Sequence, residues 1–368
     1  MEKRGIHLGN HQRMKKVIEK AEQGKPVVLA FLGGSITQGS LSSDSSSCYV
    51  HLVYQWWKKS FPNAFFTYIN AGIGGTTSLF GVSRVEEVLT YNPDFIILDF
   101  TVNDENTDFF METYESLVRR LIFSANQPAV MALCNVYYED GRSAIEKHKR
   151  ILEHYQIPYV SMKETLYQDI FKGRVSLAEV TPDGLHPNDK GHERIANLIV
   201  SCMEDVKDIV SNKSEVLKDE VCPKPITKCS YERARRIQNQ SGVYQCNGFL
   251  PDDTRKNGVT DVFKGGFIGV HKGDRITFHA QGSCLGIQYR KTVNKPAPVA
   301  VAYVDGNLDQ RVLLDGNFDE DWGDCLAITP LLHHGRLGNH EVVIELITGV
   351  EEKETPFYLV SLIQSEEM

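Results

Sequence analysis

Val27-Val28-Leu29-Ala30-Phe31-Leu32 runs directly into Gly33-Gly34-Ser35-Ile36-Thr37-Gln38-Gly39. An unbroken apolar run of this length, with no polar alternation, predicts a strand buried on both faces, as in parallel sheets. Four more runs follow the pattern: Phe65-Phe66-Thr67-Tyr68-Ile69, Phe95-Ile96-Ile97-Leu98-Asp99-Phe100, Ala129-Val130-Met131-Ala132-Leu133 and Pro158-Tyr159-Val160. Stretches of helical length and amphipathic spacing separate them, at 49–59, 79–89, 112–124 and 144–155, with a last one near 191–203. Repeated strand–helix units predict an α/β fold with a doubly wound parallel sheet.

Beyond about residue 227 the period changes to two, as in Arg275-Ile276-Thr277-Phe278-His279 and Glu341-Val342-Val343-Ile344-Glu345-Leu346, with turn signals at Asp305-Gly306-Asn307, Asp315-Gly316-Asn317 and Leu337-Gly338-Asn339. This half predicts an antiparallel β-sandwich. The intervening stretch is charged and ends in Cys222-Pro223-Lys224-Pro225, so the expected organisation is an α/β domain over 1–210, a linker over 211–225 and a β-sandwich domain over 226–368.

With 368 residues the chain exceeds the size at which one core stops growing. A hydrophobic fraction of 41% with 24% charged residues describes a globular protein, and no apolar stretch is long enough to span a membrane. The excess of 48 acidic over 40 basic residues, with no basic stripe, argues against a nucleic-acid or anionic-membrane partner. No apolar run follows Lys3-Arg4, which favours a cytoplasmic location, and the eight cysteines are scattered without CxxC, so most are expected to be reduced, buried thiols.

Four segments carry chemistry. Ser35 lies just past the carboxyl end of a central strand, the edge where open α/β sheets bind ligands, although Gly-Gly-Ser is also an ordinary turn or phosphate loop. Asn70-Ala71-Gly72-Ile73-Gly74-Gly75-Thr76-Thr77 offers glycine amides that can face a ligand; dinucleotide binding fails because the first turn lacks GxGxxG. In Thr101-Val102-Asn103-Asp104-Glu105-Asn106, the Asn103 amide could donate to an oxyanion at the same edge, while Asn106 reads as a turn or cap. In Thr181-Pro182-Asp183-Gly184-Leu185-His186-Pro187-Asn188-Asp189, Asp183 stands where its carboxylate can orient the His186 imidazole. Asp189 reads as the cap of the following helix, and zinc binding by His186 and His192 ranks low for want of ligand spacing.

In this order the four segments resemble the sequence blocks of the SGNH hydrolases, the superfamily of the GDSL esterases, over roughly residues 26–200. The resemblance implies a flavodoxin-like sheet with Ser35 as nucleophile and Asp183 and His186 completing a triad. It also implies an oxyanion hole of the Ser35 and Gly75 backbone N–H groups and the Asn103 side chain. Two positions depart from the family: its Gly-Asp-Ser is Gly33-Gly34-Ser35 here, and the glycine two before the oxyanion Asn is Thr101. An SGNH domain followed by a β-sandwich is similar to the mannan acetyl esterases of carbohydrate esterase family 17, whose second domain resembles a family 35 carbohydrate-binding module. That implies a serine esterase acting on an acetylated oligosaccharide, with no metal or organic cofactor. The alternative is a lipase-like or thioesterase-type hydrolase of a small acyl ester.

Other groups have plainer readings. His333-His334 with His340 could ligate a metal, but a polar loop of a sandwich explains them. Asp104 and Glu105 could form an acid/base pair, but a solvated or loop-holding role is simpler. Of Trp56 and Trp57, one is expected in the core and the other at a domain or subunit contact, which leaves room for a homo-oligomer. Trp322, an aromatic amid carboxylates in Phe318-Asp319-Glu320-Asp321-Trp322-Gly323-Asp324, is a candidate sugar-stacking, substrate-binding residue.

Overall fold

The computed structural model of the chain describes residues 3–212, 223–351 and 354–366. The chain divides into two compact units, Met1–Gly81 with Val85–Lys228, and Val82–Arg84 with Cys229–Met368. The expected linker falls largely on 213–222, outside the described residues.

The N-terminal unit runs β1 (Ile6–His7), α1 (Gln12–Glu22), β2 (Val27–Gly33), α2 (Ser35–Gln38), α3 (Tyr49–Ser60), β3 (Phe66–Gly72), α4 (Ser78–Leu89) and β4 (Phe95–Asp99). It continues through α5 (Asp108–Ile122), β5 (Ala129–Cys134), α6 (Ile145–His154), β6 (Tyr159–Ser161), α7 (Leu166–Phe171), α8 (Leu177–Val180) and α9 (Asp189–Asn212). The strands lie in the order β1-β6-β5-β4-β2-β3, all parallel except β1, which pairs antiparallel with β6 at the edge. Strand order reverses at β2, whose neighbours are β3 and β4, so the loop after β2 opens at the topological switch point where α/β sheets bind ligands. Register aligns Gly33 with Gly72 on one side and with Asp99 on the other. Leu29, Phe31, Phe95, Ile97, Met131 and Val160 form the core with Trp57 of α3 and Ile195, Ile199 and Met203 of α9.

Local details differ from the sequence reading. Trp57 is buried, and Trp56 is half-buried, donating its indole N–H to Glu204 of α9 at 2.7 Å. Thr107, not Asn106, caps α5. At α9 Asn188 does the capping, accepting the Gly191 N–H, while Asp189 accepts from the backbone and hydroxyl of Ser43.

The C-terminal unit comprises β7 (Arg235–Ile237), β8 (Val243–Asn247), β9 (Leu250–Pro251), β10 (Phe267–Gly269), β11 (Arg275–Gly282) and β12 (Cys284–Lys291). It is completed by β13 (Val299–Val304), β14 (Val312–Asp315), β15 (Cys325–Leu332), β16 (Gly338–Leu346) and β17 (Phe357–Ser365). One sheet has the order β15-β12-β17-β10-β9, with β7 also on β17; the other has β14-β13-β16-β11-β8. All these pairings are antiparallel. Alternate residues from both sheets, including Ile276, Phe278 and Ile344 from one and Phe267, Ile287 and Leu359 from the other, share one core, as in a sandwich. Among the described residues, no helix is long and apolar enough to cross a membrane.

Candidate active site

The β2 strand ends at Gly33, and the chain turns at Gly34 to begin the single helical turn of α2 with Ser35. Close packing fixes that turn. A side chain at Gly33 would strike the Thr37 hydroxyl, and one at Gly72 would strike the backbone of Thr37 and Gln38. Gly39, at φ 104°, ends α2 in the left-handed region that favours glycine. Asn70 binds the loops after β2 and β3 together, donating its amide to Thr37 O at 2.8 Å and accepting the Gly72 N–H at 2.9 Å.

Ser35 Oγ lies 2.8 Å from His186 Nε2, and His186 Nδ1 lies 2.7 Å from Asp183 Oδ2. The other Asp183 oxygen accepts the backbone N–H of Leu185 and His186 and the Thr181 hydroxyl. Partial burial pushes the Asp183 carboxyl up, but the His186 hydrogen bond and these N–H donors outweigh it and hold the group below its ordinary value. A serine hydroxyl on an imidazole whose far nitrogen is held by a carboxylate can hand its proton to that imidazole.

Asn103 and the loop that carries Gly75 border the same turn. Asn103 sits in the turn after β4, where its own N–H and that of Asp104 both donate to Phe100 O. Its carboxamide lies against Gly34, so close that a Cβ on that glycine would fall 2.2 Å from Asn103 Oδ1. The loop after β3 is pinned by Gln38, whose Oε1 accepts the Gly74 N–H at 2.6 Å; a Cβ at Gly74 would be 3.7 Å from Ser35 Cβ. Gly75 follows at φ 69°. Trp322 belongs to the other unit, between β14 and β15, 55% exposed and edge-on to Phe318.

The departures from the family pattern have local causes. The Asn103 amide fills the space beside Gly34, so a side chain at position 34 would displace it. Thr101 is buried; its hydroxyl donates to Asn135 O and its carbonyl accepts the Ala144 N–H, which anchors the turn bearing Asn103.

Other polar residues near the site have structural partners. Asp104 holds a loop, as the simpler reading expected: Oδ1 accepts the Ser78 N–H at the start of α4, and Oδ2 lies 3.0 Å from Nε2 of the buried His148, whose ring stacks on Tyr114. His192 is no zinc ligand with His186. Its Nδ1 accepts the Tyr49 N–H, its ring stacks on Tyr49, and burial pushes it down to about 4, so it stays neutral.

Sequence reasoning missed Asp99 beneath the site. Its carboxylate accepts from Thr37 and Asn135 at 2.9 and 3.0 Å, and its carbonyl accepts the Gly34 N–H. The available signal was an acid at the end of an otherwise apolar strand. Burial raises Asp99 from 3.8 to about 6 against the opposing hydrogen bonds. A raised folded value means that the folded chain retains a proton the unfolded chain has released. The resulting stability is complete below the unfolded value and is lost as pH rises through about 6. Between about pH 5 and about pH 8 the wild type is expected to lose roughly 1 to 1.5 kcal/mol through this group, and Asp99→Asn none of it. Urea denaturation of both forms at the two pH values checks this; parallel loss would clear Asp99.

Residues 31–194 match the model of the GDSL-like lipase/acylhydrolase family. Over nearly its whole length the chain is similar to the crystal structure of a two-domain esterase active on acetylated mannans, at 47% identity and TM-score 0.94, covering 99% of this chain and 98% of that one. A structure of a two-domain esterase active on acetylated mannans, co-crystallised with mannopentaose, gives 48% identity and TM-score 0.93, covering 99% and 97%. Among curated proteins, none matched. With the match over the whole Ser35-to-His186 region and with a relative aligned nearly end to end, the chain belongs to the GDSL-like lipase/acylhydrolase family and is an ester hydrolase.

Proposed function

We propose that the chain removes O-acetyl groups from carbohydrate, with acetylated β-mannan oligosaccharides as substrate. The observation that carries the chemistry is the hydrogen-bonded chain Ser35–His186–Asp183, at 2.8 and 2.7 Å. His186 takes the Ser35 proton as Oγ attacks the acetyl carbonyl, and Asp183 holds the imidazole and stabilises the imidazolium. The Ser35 and Gly75 backbone N–H groups and the Asn103 amide donate to the oxyanion. The C–O bond to the sugar then breaks, and the sugar oxygen leaves with the proton carried by His186. Water, deprotonated by the same imidazole, attacks the acetyl-enzyme and releases acetate with Ser35 restored. No step requires a metal.

The choice of mannan is supported by likeness to esterases active on acetylated mannans, aligned over both halves of the chain. An acetyl group offers little surface, so the energy that orients it must come from the sugar chain. We assign part of that role to Trp322, whose exposed indole face suits stacking against sugar C–H groups. Acetate release and mass spectrometry on acetylated mannan, xylan and pectin oligosaccharides, beside longer acyl esters, test the substrate class. Preference for long acyl chains would favour the lipase-like or thioesterase alternative. Trp322→Ala should lower kcat/KM on acetylated manno-oligosaccharides by about 10-fold or more, the loss of one or two kcal/mol of stacking, and leave a small activated acetate ester nearly unaffected. Equal losses on both would assign Trp322 to folding.

A further inference from the structure

Cys284 opens β12 and pairs with Ser365 of β17; on the other side of β12, Leu285 faces Leu332, the last residue of β15. The chain leaving β15 therefore passes Cys284 at once, and its next two residues are His333 and His334. His334 takes a left-handed φ of 54°, uncommon for a residue with a side chain, and donates its backbone N–H to Cys284 Sγ at 3.5 Å. The loop is closed by the Gly335 N–H on Ser283 O. The two imidazoles stack with centroids 3.9 Å apart, and His333 Nδ1 lies 2.9 Å from the Tyr231 hydroxyl. A ligand atom from each of Cys284, His333 and His334 lies within 4.8 Å of the others.

We propose that Cys284, His333 and His334 form a zinc-binding site in the C-terminal unit, with Tyr231 as outer support. One thiolate and two imidazoles suit borderline Zn²⁺ and leave the fourth position of a tetrahedral ion to water. Ligand atoms around tetrahedral zinc stand roughly 3.3 to 3.7 Å apart, so closure draws the three atoms together from within 4.8 Å and turns the stacked histidine rings until their nitrogens converge. Cys284 is buried on a central strand, His333 is exposed and His334 half-buried, which gives a fixed sulfur and a route in from solvent. The His334 N–H on the sulfur holds the loop against Cys284, and a hydrogen bond to one ring nitrogen fixes the tautomer and plane of His333, as outer partners of metal-binding histidines do. On binding, the Cys284 thiol gives its proton to solvent and a sulfur–zinc bond forms. His340, grouped with this pair in the sequence, is committed elsewhere: Nδ1 lies 2.7 Å from Asp305 Oδ2 and Nε2 lies 2.9 Å from Arg336 O.

The full-length chain, stripped with EDTA and kept reduced, is titrated with Co²⁺ as a spectroscopic stand-in and then back-titrated with Zn²⁺. One equivalent of Co²⁺ should produce a near-ultraviolet thiolate-to-cobalt band that Zn²⁺ bleaches. The band should vanish in Cys284→Ser. Should that core variant misfold, His333→Ala and His334→Ala carry the test from the surface, and each should abolish tight binding. Tyr231→Phe should weaken Zn²⁺ by roughly 10-fold to 100-fold while keeping the band. Absence of a thiolate band in the wild type at saturating Co²⁺, or its persistence in both histidine variants, would overturn the proposal.

Discussion

Ser35→Ala is expected to fold as the wild type does and to lose turnover by on the order of 10⁴-fold or more. The hydroxyl contributes one hydrogen bond, to His186, and an alanine fits the same half-turn, so the unfolding transition should hardly move. What vanishes is the covalent route. The remaining rate reflects whatever the oxyanion donors and substrate binding achieve with water alone. Circular dichroism and hydrolysis of an activated acetate ester measure the two sides; substantial residual turnover in a folded Ser35→Ala enzyme would end the mechanism proposed here.

The second large effect is expected at a residue with no chemistry of its own. Gly34 has φ −91°, which other residues adopt, so alanine there meets no left-handed penalty. Its Cβ would nevertheless stand 2.2 Å from Asn103 Oδ1 and 3.1 Å from Nδ2. The amide must move, and Gly34→Ala should reproduce Asn103→Ala: kcat down by roughly 10²-fold to 10³-fold with little change in KM, because an oxyanion donor matters most once charge has developed. The decisive measurement is the double variant. If both changes act through one amide, combining them adds almost nothing to Asn103→Ala. Multiplied losses would mean that Gly34 serves the reaction by another route, and a loss confined to KM would make Asn103 a substrate-binding group.

The parallel strands were readable because a strand covered on both faces must be apolar throughout, and 27–32, 95–100 and 129–133 are nearly so. Ile6–His7 was unreadable: a two-residue edge strand has no period. Ser35 and Asn103 could be picked out since each follows a strand at the same edge of the sheet, and Asp183 and His186 since they stand three residues apart in a Pro- and Gly-rich loop before the last helix; the structure brings all four together. The Thr37–Asp99–Asn135 network had no comparable signal, since its partners stand 62 and 36 residues apart and only the folded sheet makes them neighbours. Cap positions slipped by one residue, at Thr107 and Asn188, because Asn-Thr and Asn-Asp each offer two suitable side chains and the backbone exit angle decides between them.

Asp183 and His186 stand three residues apart, whereas Ser35 is 151 residues from the histidine. The loop holding the pair is fastened by, among others, the Tyr138 N–H on Gly184 O and the Asn188 N–H on Val180 O. Imidazole and carboxylate therefore sit on one short piece of chain. If the loop lifts, both leave together, while Ser35, Gly34 and Asn103 stay pinned to the sheet by β2 and β4. The geometry between the imidazole and its carboxylate is thus local to one loop and does not depend on how that loop meets the sheet. A change in the sheet beneath them can shift Ser35 relative to the pair, but the distance between His186 and Asp183 is set within their own loop.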